Sequence, residues 1–161
     1  MLPAIIDIEA SGFGRESYPI EVGVALPEGK SCCYLIKPDS DWTFWDGKAE
    51  LVHGISRDLL FQKGIDPRQV AMDLNDLLGG TKVYTDAWSF DLSWLGKLYN
   101  IAEITQLYSL ESLRSLMSER QSDKWHETKE SVMQDSNLTR HRASADARII
   151  QETLRRLHLE I

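Results

Sequence analysis

Two carboxylates stand two residues apart inside an otherwise apolar run, Ile5-Ile6-Asp7-Ile8-Glu9-Ala10, close to the start of the chain. Residues 4–10 are rich in isoleucine and short, which suits a buried strand. In a strand, residues i and i+2 point to the same face. Asp7 and Glu9 therefore project side by side, with Ile6 and Ile8 packed on the opposite side. Like charges held that close repel, and within a core they are costly unless a cation lies between them. A divalent metal is the economical explanation, and it demands further ligands downstream.

The rest of the chain offers a scaffold for such a site. Tyr18 to Leu26 alternates Ile20, Val22, Val24 and Leu26 on one face, giving a second strand. Pro27-Glu28-Gly29-Lys30 has turn chemistry, and Ser31 to Ile36 completes a hairpin. Residues 38–66 are irregular, with Trp42, Trp45 and short helices. From Pro67, the spacing of Val70, Leu74, Leu77 and Leu78 predicts a helix that ends at Gly79-Gly80. Thr81 to Thr85 reads as a fourth strand, Ser89 to Ala102 as a helix, and Thr105 to Ser109 as a short fifth strand. Residues 110–136 read as a polar helical stretch interrupted near Gln121-Ser122-Asp123, and Ala143 to His158 as the last helix. An antiparallel meander followed by βαβ-like units predicts an α/β fold, a mixed five-stranded sheet flanked by helices.

A chain of 161 residues without repeats or low-complexity linkers suits one domain over 1–161. No apolar run approaches a membrane span, and the N-terminus lacks the basic region of a signal peptide. Adjacent Cys32 and Cys33 have no spaced partners for a disulfide framework or a zinc site, so reduced thiols and a cytoplasmic location are expected. The net charge of −7 counts against a duplex-coating protein, which would be basic. It counts less against an enzyme gripping a few nucleotides, because clustered ligand carboxylates inflate the negative count.

Three further groups fall where this fold can bring them to Asp7 and Glu9. Asp91 follows the fourth strand, in the first turn of a helix. His141 and Asp146 lie five residues apart, an offset of roughly 140° on a helix, so Asp146 belongs to the last helix and His141 to the loop before it. Taken singly each has a plain reading: Asp91 as an acid at a helix start, His141 as an exposed loop residue between Arg140 and Arg142.

Together, Asp7-x-Glu9-x-Ser11-Gly12, then Phe90-Asp91, then His141-x4-Asp146-Ala147 resemble the three motifs of the DEDDh-type 3′–5′ exonucleases, which include proofreading subunits, RNase T and oligoribonuclease. The motifs stand in the family's order and span nearly the whole chain. His53-Gly54-Ile55 is similar to a recurring His-Gly-Ile segment between the first two. The sequence departs from the pattern at Asp86-Ala87, where many members carry His-Asn.

The resemblance implies a ribonuclease H-like fold and a 3′–5′ exonuclease releasing 5′-mononucleotides. It implies two Mg²⁺ or Mn²⁺ ions, with Asp7, Glu9, Asp91 and Asp146 as ligands and neutral His141 as general base. It places Ser11 and Gly12 against the terminal sugar and Phe13 against its base. The expected partner is a nucleic-acid 3′ end, single-stranded or short, with no membrane. DNA or RNA is left open, as is the oligomeric state, a homodimer included. Two other readings compete: a non-catalytic nucleic-acid-binding or polymerase-associated module of the same fold, and a hydrolase of some other phosphodiester.

Overall fold

In the computed structural model, residues 1–138 and 142–159 are described. The elements run β1 (Ala4–Ala10), β2 (Pro19–Ala25), β3 (Ser31–Leu35), α1 (Gly47–His53), α2 (Arg57–Lys63), α3 (Pro67–Leu78), β4 (Lys82–Thr85), α4 (Trp88–Ala102), β5 (Ser109–Ser112), a 3₁₀ turn (Leu113–Leu116), α5 (Glu119–Asp135) and α6 (Ala143–Leu159). The five strands form one sheet in the order β3-β2-β1-β4-β5. β1 pairs antiparallel with β2, and β2 with β3, while β4 runs parallel to both β1 and β5. This is the mixed, helix-flanked α/β sheet of the ribonuclease H-like fold.

Each face of the sheet buries its own cluster. Ile6, Ile8, Ile20, Val22, Val24, Val83 and Leu110 pack against Val70, Leu74 and Leu78 of α3 and Leu95 and Leu98 of α4. Ile5 and Ala25 turn the other way, onto Ala147, Ile150 and Leu154 of α6. With helices on both sides, β2 is buried along its whole length, although only alternate residues carry large apolar side chains. Among the described residues, no helix is long and apolar enough to cross a membrane. Cys32 and Cys33 sit on β3 as free thiols.

Two predicted elements differ. The fifth strand is Ser109–Ser112, not Thr105–Ser109. The Asn75 side chain on α3 explains the shift: its amide donates to the Thr105 carbonyl at 2.8 Å and accepts from the Leu107 N–H at 3.0 Å. The backbone of that segment is thus satisfied off the sheet, and pairing with Lys82–Thr85 begins at Ser109. The break expected near 121–123 falls earlier, before Glu119. Ser118 and Gln121 form a reciprocal capping box, so Gln121 belongs to the first turn of an uninterrupted α5.

Candidate functional site

β1 brings Asp7 and Glu9 to one face, where α6 crosses β1 and β2. Asp146 lies in the first turn of α6. One carboxylate oxygen each from Asp7, Glu9 and Asp146 lies within 4.8 Å of the other two. Residues more than 130 positions apart in sequence therefore meet because the last helix packs back on the first strand. All three are partly exposed, so the cluster opens to solvent.

Asp91 approaches from the end of β4. It stands in the first turn of α4, nearly wholly buried, and its Oδ2 accepts a hydrogen bond from Thr85 Oγ1 at 2.5 Å. Its carboxylate lines the same cleft as Asp7 and Glu9 but is not one of the three mutually close groups. Asp86, in the departure from the family pattern, forms an ion pair with Lys129 of α5 at 2.7 Å, while Ala87 lines the cleft.

The cleft has a volume of about 190 Å³ and sits at the carboxyl ends of the parallel strands β1 and β4. Gly12 and Phe13 from the β1–β2 connection, Val52 and His53 from α1, and Phe90 and Trp94 from α4 line it. Phe13 is 72% exposed, Val52 51% and Phe90 51%, which makes an apolar rim around an acidic floor. Gly12 sits against Phe44: a Cβ there would lie 2.7 Å from the ring edge. The Lys97 amine of α4 donates to the carbonyls of Arg15 and Ser17, tying this connection to the helix that carries Asp91.

Ser11 lies in the β1–β2 connection. It is fully buried, and its Oγ accepts from the Tyr18 N–H at 3.1 Å, so the hydroxyl shapes the connection and does not face the cleft. Trp42 stacks on Tyr18 at 5.4 Å between ring centres, a packing role. His141, the expected general base, lies outside the described residues.

His53, in the His-Gly-Ile segment, closes α1 and reaches the cleft. Its Nδ1 does accept from the Ile55 N–H at 3.0 Å, in the turn that follows α1. That bond places the proton of the neutral ring on Nε2. Burial holds the imidazole below its ordinary value, which favours that neutral form. Nε2 is buried, has no hydrogen-bond partner among the described residues, and belongs to a side chain lining the cleft. The His-Gly-Ile resemblance was the available signal.

The electrostatics fit a cation site. Burial, then the charges of Asp91, Asp146 and Glu9, raise the Asp7 carboxyl well above its ordinary range. Burial and Asp146 push Glu9 up to about 8. Burial likewise lifts Asp91 to about 8, against the lowering effect of the Thr85 bond. Without a counter-charge the ionised form of each of these acids is disfavoured. An all-oxygen donor set of this density suits a hard divalent cation such as Mg²⁺ or Mn²⁺.

No family model matches the chain, and neither does the sequence of any curated protein. Solved structures do. Exonuclease I from Methylocaldum szegediense superposes with a TM-score of 0.74 at 15% identity, over 98% of this chain and 40% of that one. E. coli Exonuclease I in complex with a dA16 oligonucleotide gives 0.69 at 16% identity, over 98% and 42%. The zinc-bound form of the E. coli enzyme with single-stranded DNA gives 0.63 at 15% identity, over 99% and 43%. The chain thus spans about two fifths of the length of these structures. At such identities the likeness establishes the fold, and the fold is the one on which these exonucleases are built.

Proposed function

We propose that this chain is a metal-dependent 3′–5′ exonuclease, acting as one domain over residues 1–161 on the 3′ ends of single-stranded or short nucleic acids and releasing 5′-mononucleotides. The observation that carries the reading is the meeting of Asp7, Glu9 and Asp146 within 4.8 Å, beside Asp91, on a fold shared with Exonuclease I. Two divalent cations held by these four acids would polarise the scissile phosphate and lower the pKa of the attacking water. Asp7, which feels the charges of Asp91, Asp146 and Glu9, would serve both ions. Glu9 and Asp146 would help hold the nucleophile-side ion, and Asp91 would reach the leaving-group ion directly or through water. His141, just ahead of α6, takes the proton from the attacking water.

The cleft supports a single terminal nucleotide as occupant. The Gly12 backbone offers a contact to its sugar, Phe13 and Phe90 offer faces for a base, and His53 Nε2–H offers a donor to a sugar or phosphate oxygen. The two E. coli Exonuclease I structures hold a dA16 oligonucleotide and single-stranded DNA, which makes that polymer the first to try.

The test uses 5′-labelled single-stranded DNA, single-stranded RNA and duplex DNA with Mg²⁺ or Mn²⁺. A ladder shortening from the 3′ end is expected, and Asp7→Ala abolishes it. Intact substrate in every combination, with clean and folded protein, sinks the reading.

A further inference from the structure

Glu21 is fully buried on β2 and stands directly opposite Glu9 in the β1–β2 pairing. Like charges facing each other across two strands destabilise a sheet, and a buried carboxylate needs strong partners. Its partners come from the start of α6. Arg142 Nη2 and Nε reach Glu21 Oε2 at 2.7 and 3.1 Å, and the Ala143 N–H donates to Oε1 at 2.7 Å. A guanidinium fork and a backbone donor on one carboxylate define an orientation as well as an attraction.

The same turn of α6 presses on the sheet two residues along β2. A Cβ on Gly23 would fall 2.0 Å from the Ala143 carbonyl carbon and 2.2 Å from the Ser144 nitrogen. β2 and the helix start are therefore in backbone contact, with Glu21 as the clamp. The Asp146 N–H donates to the Arg142 carbonyl at 2.9 Å, so the residue Glu21 grips opens the turn that carries Asp146.

Resting on the reading of Asp7, Glu9 and Asp146 as cation ligands, we propose that Glu21 is a positioning residue: it sets cation affinity by holding the first turn of α6 where Asp146 joins the two acids of β1. Glu21 touches neither cation nor substrate in this role. Arg142 is the other half of the clamp.

The experiment is calorimetric titration of Mn²⁺ into metal-free protein without nucleic acid, with thermal melts run alongside. Glu21→Gln keeps the size and an acceptor for the Ala143 N–H but loses the charge that holds the Arg142 fork. It is expected to bind Mn²⁺ about 10–100-fold more weakly than wild type, the usual effect of removing a group that orients a ligand. Arg142→Lys keeps the charge without the fork and is expected to lose less. Wild-type affinity in a folded Glu21→Gln chain, whatever its melting temperature, overturns the proposal and leaves Glu21 a purely structural acid. Should Glu21→Gln not fold, unchanged affinity in Arg142→Lys overturns it equally. Wild-type protein that binds no Mn²⁺ overturns the cation reading itself, a different result from either.

Discussion

Thr85 Oγ1 donates to Asp91 Oδ2 at 2.5 Å across the junction of β4 and α4, and the same hydroxyl accepts from the Ala87 N–H at 3.0 Å. One threonine at the end of a strand thus fixes both the rotamer of a buried acid and the backbone that starts the following helix. Thr85→Val preserves shape but leaves Asp91 Oδ2 and the Ala87 N–H without this partner. We expect about 1–3 kcal/mol of lost stability by denaturant unfolding, together with a higher Mg²⁺ concentration for half-maximal activity. Wild-type values of both would remove Thr85 from the account of Asp91.

The raised acids make stability depend on pH in a definite direction. Glu9 moves from 4.5 to about 8 and Asp91 from 3.8 to about 8, both chiefly through burial. Between those limits the folded chain holds protons that the unfolded chain has released. Their stabilising effect is complete below about pH 4 and fades as pH rises through about 8. In the presence of a chelator the melting temperature should therefore fall across that window. Saturating Mg²⁺ or Mn²⁺ should flatten the fall by taking the protons' place, and should restore activity lost to the chelator. A melting temperature of the chelated protein that rises from pH 5 to 8 contradicts this picture.

His53→Asn separates the two ends of one ring. The Asn carbonyl can still accept from the Ile55 N–H, while the distal donor disappears. Steady-state kinetics on a short oligonucleotide should show KM rising about 2–10-fold, the value of one net hydrogen bond, with kcat nearly unchanged. A loss confined to kcat would place His53 in the chemistry instead.

Phe13 stands 72% exposed at the mouth of the cleft. Base stacking on such a ring contributes about 1–3 kcal/mol, so Phe13→Ala should weaken binding of single strands by about 5–150-fold. The measurement is best made in an Asp7→Asn background, by fluorescence anisotropy, so that the strand is not consumed. Equal affinity would assign Phe13 to the surface alone.

Much of this was legible in residue order because it rests on short-range periodicity. The alternation in Ile5–Ala10 put Asp7 and Glu9 on one face, and the helical spacing from Pro67 placed α3. What escaped depends on partners distant in sequence. Asn75 diverts the backbone at Thr105 and Leu107, which moved the start of β5 by four residues. Tyr18 claims the Ser11 hydroxyl, and nothing near Ser11 announces it. Glu21 stands between Ile20 and Val22, and no neighbour in sequence announces that α6 covers its face. The separate standing of Asp91, beside the three-acid cluster and not within it, likewise depends on the depth to which α4 sinks into the core.

The three-acid cluster joins the first strand to the last helix, and that has a consequence for the life of the molecule. While the polypeptide emerges from the ribosome, Asp7 and Glu9 are made early and Asp146 late, so a nascent chain cannot complete the cluster. Under the reading proposed, a growing chain would be harmless to nearby messenger or to any other polymer. Cutting ability would arrive in one step, when α6 docks.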